Sequence, residues 1–338
     1  MRRYYRFIGA SLFALGLLVF PARALFAAQS AIANWGLSVA PALFPFMVVL
    51  PFLTSREACQ VYDKIFGRFS RFVFALPGTT ASAIVTGLCA GSPAGAMAVV
   101  RVARREGLSP GEAARMAGIA CGVGPIYVVS GIGVALWGST AEGWRLATSQ
   151  LAALLLTGLL FRGAWRSSAR LSPIADDTEF DERPISRAVL SILKVAGYMI
   201  MFAVGIALLD GVFGEWFDHT SLLLDLPTGA LFAASTGLPL VWVSLAVGFG
   251  GLCIAAQNMG VLKSAGVTWP MFLAQKMTSA ALTAGVYCAQ RMLVRETIFA
   301  YASRGDAFEA ASAGVFLLML PVALVLAFAA FGQEKNIS

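Results

Sequence analysis

The sequence is poor in charged residues, and this scarcity sets its class. Charged residues make up 13% of the 338 residues, against 58% hydrophobic residues, and the mean hydropathy is +0.77. One soluble core cannot hide that much apolar surface, so an ordinary soluble domain is excluded. Many apolar stretches reach the length of about 20 residues that a bilayer-crossing helix needs. The composition therefore predicts an all-α polytopic membrane protein in the cell membrane, surrounded by lipid.

Histidine is scarce as well, and paired cysteines and enzyme motifs are lacking. The five cysteines form no CxxC pair, which argues against a disulfide framework and a zinc site. The chain has one histidine and no HExxH, GxSxG or Walker motif, so we expect no enzyme activity, no metal and no cofactor. The net charge of +7 comes from single basic residues at the ends of apolar stretches. That pattern fits positive-inside topology and predicts no nucleic-acid partner.

Apolar lengths and basic flanks divide the chain into two similar halves. We expect an uncleaved transmembrane helix at 1–30 with a cytoplasmic N-terminus, a first repeat at 31–162, a hydrophilic cytoplasmic linker at 163–187, a second repeat at 188–332 and a tail at 333–338. Each repeat is predicted to contain a span, an interfacial helix, a re-entrant segment and two further helices. Since the first repeat begins outside and the second inside, the repeats are predicted to be inverted.

The individual elements follow from the same counting. In the first repeat they are a span at 31–53, an amphipathic helix around 64–74, a re-entrant hairpin at 77–102, a helix at 109–137 broken at 122–125, and a helix at 144–161. In the second repeat they are 188–209, 214–224, 226–262, 269–290 and 308–331. This topology places Lys263 outside, opposite the arginines at 101–105. Length alone leaves open whether 226–262 is re-entrant or crosses the bilayer.

Glycine and small polar residues interrupt an apolar stretch in each half. In hydrocarbon, irregular backbone survives only where it is packed in protein or lines a polar cavity. Paired breaks of this kind indicate the binding site of a transporter. Each break frees a helix N-terminus that favours an anion and a helix C-terminus that favours a cation. The residues assigned to the substrate site are Gly91, Ser92, Pro93, Gly95, Gly124, Tyr127, Gly250, Gly251, Gln257, Asn258 and Lys276.

Lys276 and Asp225 are the charged candidates. Lys276 follows Trp269 by seven residues, about 10 Å into a helix, where an unpaired ammonium is expensive. It either pairs with a substrate carboxylate or reaches the outer surface along its flexible stem. Asp225 is assigned to a coupling ion, Na⁺ or H⁺, and the alternative is a carboxylate at the water interface. Tyr127 either stacks on an aromatic substrate or packs within the bundle.

A family resemblance is carried by the segments SVAPALFPFMVVLPFL, TGLCAGSPAGAMAVVRVARREGLSP and AVGFGGLCIAAQ. They resemble the nucleoside-recognition (Gate) domain membrane proteins, in the sporulation integral membrane protein branch, over about residues 31–293. The family has a Gly-Tyr-Pro-Gly-Ala type motif at the first break, where this chain has GSPAGA from Gly91. At the second break it has a Gly-Gly-Leu-Ser-x-x-Gln type motif, where this chain has GGLCIAAQ from Gly250. The resemblance implies a fold similar to that of concentrative nucleoside transporters, and it implies transport.

The expected function follows from the breaks and from the resemblance. We expect a secondary transporter or facilitator of a small polar metabolite bound near the bilayer midplane. The substrate is an anionic or aromatic carboxylate or a nucleoside-like compound, and a branch of the family implies dipicolinate. A homo-oligomer is compatible with this architecture. The alternatives are a non-transporting assembly or structural protein of the sporulation type and an intramembrane enzyme.

Overall fold

Helices account for all regular structure that the computed structural model describes, which covers residues 2–172, 184–214 and 220–302. Three helical segments in these ranges are long and apolar enough to cross a membrane, namely Pro21–Leu53, Pro184–Phe213 and Leu240–Ala265. A fourth candidate is the bent pair Arg56–Phe74 and Gly78–Ala90. The prediction of an all-α membrane protein is confirmed at this level.

The first two helices meet at a proline. Helix α1 spans Arg2–Val19, and α2 begins at Pro21 and runs to Asn34. One π-helical turn, Trp35–Val39, joins α2 to α3 (Ala40–Leu53), so that the candidate span is 33 residues long. Proline lacks an N–H group and favours the first turn of a helix, which explains the start of α2. The helix boundary therefore lies at Phe20, and not between residues 30 and 31 as expected.

The predicted hairpin in the first half is present. Helix α4 (Arg56–Phe69) begins at Ser55, whose Oγ accepts a hydrogen bond from Ala58 N at 3.1 Å. Helices α5 (Ala81–Ala90) and α6 (Ala94–Arg105) pack against each other as two arms, with residues 91–93 at the tip. Each arm is too short to cross a bilayer at about 1.5 Å per residue. The chain therefore turns back at this break.

The next predicted break is also present. Helix α7 (Pro110–Ala120) carries the predicted capping box between Ser109 and Glu112. After residues 121–125 the chain continues as the Tyr127 helix (Tyr127–Leu136), which is wound as a π-helix. Helix α8 (Thr140–Leu160) follows, and Ser139 caps its N-terminus.

The second half differs from the expected elements. Helix α9 (Pro184–Phe213) begins four residues before the predicted Ala188. The centre of the linker (173–183), residues 215–219 of the amphipathic piece, the predicted helix at 308–331 and the tail at 333–338 lie outside the described residues. The described helices are α10 (Ser221–Leu224), α11 (Leu226–Thr236), α12 (Leu240–Phe249), α13 (Gly251–Leu262) and α14 (Trp269–Ala302).

The stretch at 226–262 contains three helices rather than two arms. A turn separates α11 from α12, with Gly237 at φ +71° and Pro239 immediately before α12. Helices α12 and α13 are interrupted at Gly250 but continue as one candidate span of 26 residues, Leu240–Ala265. Because α12 and α13 run on as one span, the break at Gly250 does not reverse the chain, and by length and composition the stretch is long enough to cross the bilayer.

Helix α14 runs alongside α7 and α8. Near its start, Gln275 Nε2 donates to Ala114 O in α7 at 2.8 Å. Further along, Tyr287 OH donates to Glu142 Oε2 near the start of α8 at 2.9 Å. Helix α14 is therefore antiparallel to α8, and it continues past the predicted end at residue 290 to Ala302.

The turn before α14 overturns one expected position. Arg104 Nη2 donates to Ser264 O at 2.6 Å, so the turn Lys263–Ala265 lies at the same end of the molecule as Arg104. The expectation that Lys263 lies on the opposite side from Arg104 is wrong. Because the chain continues from α12 into α13 instead of turning back at Gly250, it reaches this end before α14 begins.

Candidate functional site

The hairpin tip packs directly on the break after α7. Ser92 N donates to Gly122 O at 2.7 Å. Gly91 has φ +73° and ψ −167°, a conformation that essentially only glycine adopts. A Cβ atom at Gly91 would overlap the backbone of Gly124. The two predicted glycines at these breaks are therefore in contact, and Gly91 is required both by its conformation and by the lack of space.

The break between α12 and α13 joins the same region. Asn258 Nδ2 donates to Ser92 Oγ at 2.9 Å, and both side chains are buried. This contact links the two halves of the chain, 166 residues apart in sequence. Gly250 and Gly251 have φ +87° and +81°, and Gly251 lies against the backbone of Leu224 to Leu226. The predicted residues of both breaks are thus brought together.

Asp225 lies at this meeting point, between α10 and α11. Its Oδ2 accepts hydrogen bonds from Thr228 N at 3.2 Å and from Thr228 Oγ1 at 2.6 Å, so it caps α11. Its Oδ1 accepts no hydrogen bond of ordinary length from the described residues, and the weakly donating thiol of Cys253 faces the carboxyl group. Asp225 is 1% exposed, so the alternative of a carboxylate at the water interface is wrong. A buried carboxylate oxygen of this kind is suited to a cation or a proton.

A small cavity lies between the breaks. Its polar lining comes from Ser92, Tyr127, Asp225 and Gln257, together with the backbone of Gly124. The apolar lining residues are Val39, Leu43, Val123, Val195, Met199, Pro227 and Ile254. About 40 Å³ is open to the centres of water molecules. Since one water needs about 10–15 Å³ on this measure, the cavity has room for about three waters or a small ion.

A larger cavity adjoins the small one. It offers about 330 Å³ and shares Tyr127, Met199, Asp225 and Pro227 with its neighbour. Its further polar lining residues are Ser30, Asn34, Ser38, Asp210 and Thr228. Ligand pockets commonly measure about 300–1,000 Å³, so this cavity is large enough for a metabolite.

Sequence reasoning missed the polar row on the first span. Ser30, Asn34 and Ser38 recur every four residues within an otherwise apolar stretch, which places them on one face of a helix. This four-residue spacing is the sequence pattern from which the polar row could have been predicted. It was obscured because the expected boundary at residue 30 divided the span.

Lys276 does not follow the alternative in which it reaches the outer surface. It is 1% exposed, so its side chain does not reach the surface, and it does not line either cavity. Its Nζ donates to Cys121 O at 2.8 Å, and it forms no ion pair with a carboxylate in the described part of the chain. Cys121 is the C-cap of α7, whose terminal carbonyls carry partial negative charge. Lys276 therefore closes the end of a broken helix.

The remaining predicted residues hold the breaks together. A Cβ atom at Gly95 would overlap Ala120 O, so Gly95 permits the close approach of α6 to α7. Pro93 is buried immediately before α6. Gly250 lies beside the Lys276 ammonium, 3.8 Å from Nζ to the position of an added Cβ atom. These residues shape the site without lining the cavities.

The comparisons with known proteins agree with a membrane location. The chain is 23% identical over 312 residues to the sporulation integral membrane protein YlbJ of Bacillus subtilis (strain 168). The alignment covers 78% of this chain and 75% of that protein. No family model and no solved structure matches the chain. The chain is thus an integral membrane protein, helical in all the regular structure of its described residues, that is similar over most of its length to a sporulation integral membrane protein.

Proposed function

We propose that the protein is a secondary transporter or facilitator of a small polar metabolite. The observation that supports this proposal is the convergence of the helix breaks at 91–93, 121–125 and 250 on one small cavity, with Asp225 among the polar residues of its wall. Irregular backbone inside a membrane protein is stable where it is packed in protein or lines a cavity. Substrate sites of secondary transporters are commonly built from such discontinuous helices.

The contacts support two inverted halves, but the helices of one half that correspond to those of the other differ from the expected ones. The first half contributes the α5–α6 hairpin, the broken helix formed by α7 and the Tyr127 helix, and α8. In the second half, α10–α11, α12–α13 and α14 take the corresponding places. Each broken helix packs on the helix that follows it, and α8 packs antiparallel to α14. The fold proposed from the resemblance, similar to that of concentrative nucleoside transporters, requires this inversion.

The polarity of the site shapes the proposed substrate and coupling ion. None of the described residues that line the two cavities is basic, and Asp225 is shared between the cavities. An anionic carboxylate therefore requires Asp225 to hold Na⁺ or H⁺ while the free N–H groups at the starts of α6 and α13 face the anion. A nucleoside-like compound would instead use the hydroxyl and amide groups of Ser38, Asn34 and Gln257.

Flux measurements in reconstituted vesicles test the proposal. The full chain would be tested with labelled dipicolinate and labelled nucleosides, under an imposed Na⁺ or pH gradient. We expect flux of at least one compound that depends on one gradient, and at least a tenfold loss in Gln257→Ala, corresponding to about 1.4 kcal/mol. Gln60→Ala, on the exposed side of α4, is the matched control and should transport normally.

The outcomes separate the two main functional classes. If the folded wild-type protein moves no member of the panel under either gradient, the non-transporting assembly role is favoured. If flux is present but Gln257→Ala and Gln60→Ala behave alike, transport stands and the assigned site is wrong.

A further inference from the structure

An apolar groove lies on the outside of the helix bundle, away from the cavities between the breaks. It offers about 720 Å³ and is formed by α4, α5, the Tyr127 helix and α8. The lining residues that define its walls are Phe66, Phe74, Leu88, Val129, Trp144 and Leu155. Such a volume bounded by apolar side chains is suited to a hydrocarbon chain.

Helix α4 lies across one end of this groove. The segment Arg56–Phe74 is bent by 106° from Gly78–Ala90, so α4 is nearly perpendicular to the arm that contains α5. If α5 follows the bilayer normal, α4 lies in the plane of the membrane surface. Its exposed side includes apolar Val61 and Ile65 as well as basic Lys64 and Arg68. This combination is typical of an interfacial helix that meets anionic lipids.

The end of α8 completes a basic rim at the same end of the groove. Arg115 donates hydrogen bonds to Arg162 O and to Ala75 O, which joins the end of α8 to the end of the α4 segment. Phe74, which lines the groove, also packs beside Gly158 in α8. Arg162 and Arg166 are exposed on this side of the junction. We call Lys64, Arg68, Arg162 and Arg166 the basic rim.

We propose that the groove and the basic rim bind an anionic phospholipid. An acyl chain occupies the groove, and the phosphate is paired with the side chains of the basic rim. The charge of the rim complements a phosphate, and the groove below it offers only apolar surface. A zwitterionic lipid fills the groove equally well but gains less at the rim, because its headgroup carries no net charge. This site is separate from the cavities and does not depend on transport.

Lipid retention measures the proposed preference. The full chain would be reconstituted in equal amounts of phosphatidylglycerol and phosphatidylcholine and extracted with mild detergent, and the retained lipids would be quantified by mass spectrometry. We expect phosphatidylglycerol to be enriched about tenfold by the paired basic side chains. The double variant Lys64→Gln/Arg68→Gln should lose most of this enrichment. The control Lys194→Gln/Lys263→Gln changes the charge equally at exposed positions outside the rim and should keep it.

A second measurement identifies what occupies the groove. Cys89 lines the groove and is exposed, whereas Cys59, Cys121 and Cys253 are buried. The rate at which a membrane-permeant maleimide modifies Cys89 would be followed by peptide mass spectrometry. It should rise when detergent strips the lipid and fall when phosphatidylglycerol is added back. If Cys89 stays unreactive in stripped protein, another part of the chain or a second copy covers the groove, and the proposal is overturned. Equal retention of the two lipids by the wild-type protein also overturns it.

Discussion

Ser92 and Asn258 form one of the contacts by which single side chains join the two halves of the chain. Their hydrogen bond of 2.9 Å is buried, and neither side chain carries a charge. Asn258 Oδ1 has no partner among the described residues, so this amide is held by one side only.

A double-mutant cycle measures this contact. We expect Ser92→Ala and Asn258→Ala to couple by about 0.6 kcal/mol, the average found for hydrogen bonds between membrane helices, and by no more than about 1.7 kcal/mol. The measurement is the free energy of unfolding in mixed micelles. Ser92→Ala combined with Ser264→Ala, which do not touch, is the control and should be additive. A coupling near zero for Ser92 and Asn258 would contradict the contact.

Asp225 combines a structural and a proposed functional role, and substitutions separate them. Asparagine caps helices about as well as aspartate, so Asp225→Asn should leave unfolding nearly unchanged, whereas Asp225→Ala should cost about 1 kcal/mol. Both variants should lose the dependence of flux on the ion gradient, because both lack the carboxylate. Unfolding and flux are measured on the same preparations. A gradient-dependent Asp225→Asn protein would remove Asp225 from ion coupling.

At the scale of helices, similar glycine breaks have different consequences. The hairpin tip at 91–93 reverses the chain, because α6 packs back on α5, while at Gly250 the chain continues from α12 into α13. The tip is fixed from outside by Ser92 N and Gly122 O. The second break is fixed by Lys276 and Asp225, which lie beside its glycines. The surrounding contacts, rather than the glycines, set the direction of the chain.

Alanine substitutions at the two breaks should differ in cost. Gly91→Ala places a Cβ atom on the backbone of Gly124, whereas the nearest atom to a Cβ at Gly250 is 3.8 Å away. Gly250→Ala should therefore cost only the backbone strain, roughly 1–2 kcal/mol. We expect Gly91→Ala to lower stability clearly more than that, as measured by thermal unfolding. Equal losses would show that the hairpin tip does not pack on the α7 break.

At the scale of the whole molecule, composition predicts the membrane class, and the glycine and small polar residues within apolar stretches predict the positions of the helix breaks. The sequence does not predict how the helices on either side of a break pack. A break that reverses the chain and a break that only interrupts a helix both appear in the sequence as glycine between apolar stretches. The turn at Gly237 and Pro239 could have been predicted, because a glycine followed two residues later by a proline is typical of the end of a helix. Burial of Lys276 depends on its contact with Cys121, 155 residues away in sequence, and was not predictable from spacing.

The direction of α14 gives a topology that labelling can check. The contact between Arg104 and Ser264 places residues 106 and 263 at one end of the molecule, while the contact of Tyr287 with Glu142 places residue 141 at the other. With a membrane-impermeant thiol reagent, Glu106→Cys and Lys263→Cys should be labelled from the same side, and Ala141→Cys from the opposite side. If Lys263→Cys and Ala141→Cys are labelled from the same side, this topology is contradicted and the one expected from charge alone is favoured.

The most direct test of the account is whether water reaches the meeting point of the breaks. Ser92→Cys, with the natural Cys89 and Cys288 replaced by serine, would be treated in vesicles with a small, charged, water-soluble thiol reagent from each side. We predict modification of Cys at position 92 from at least one side, slowed by a transported compound, because a substrate cavity there exchanges with solvent. If the thiol is unreactive from both sides in folded protein, the breaks are packed in a dry interior and enclose no substrate site.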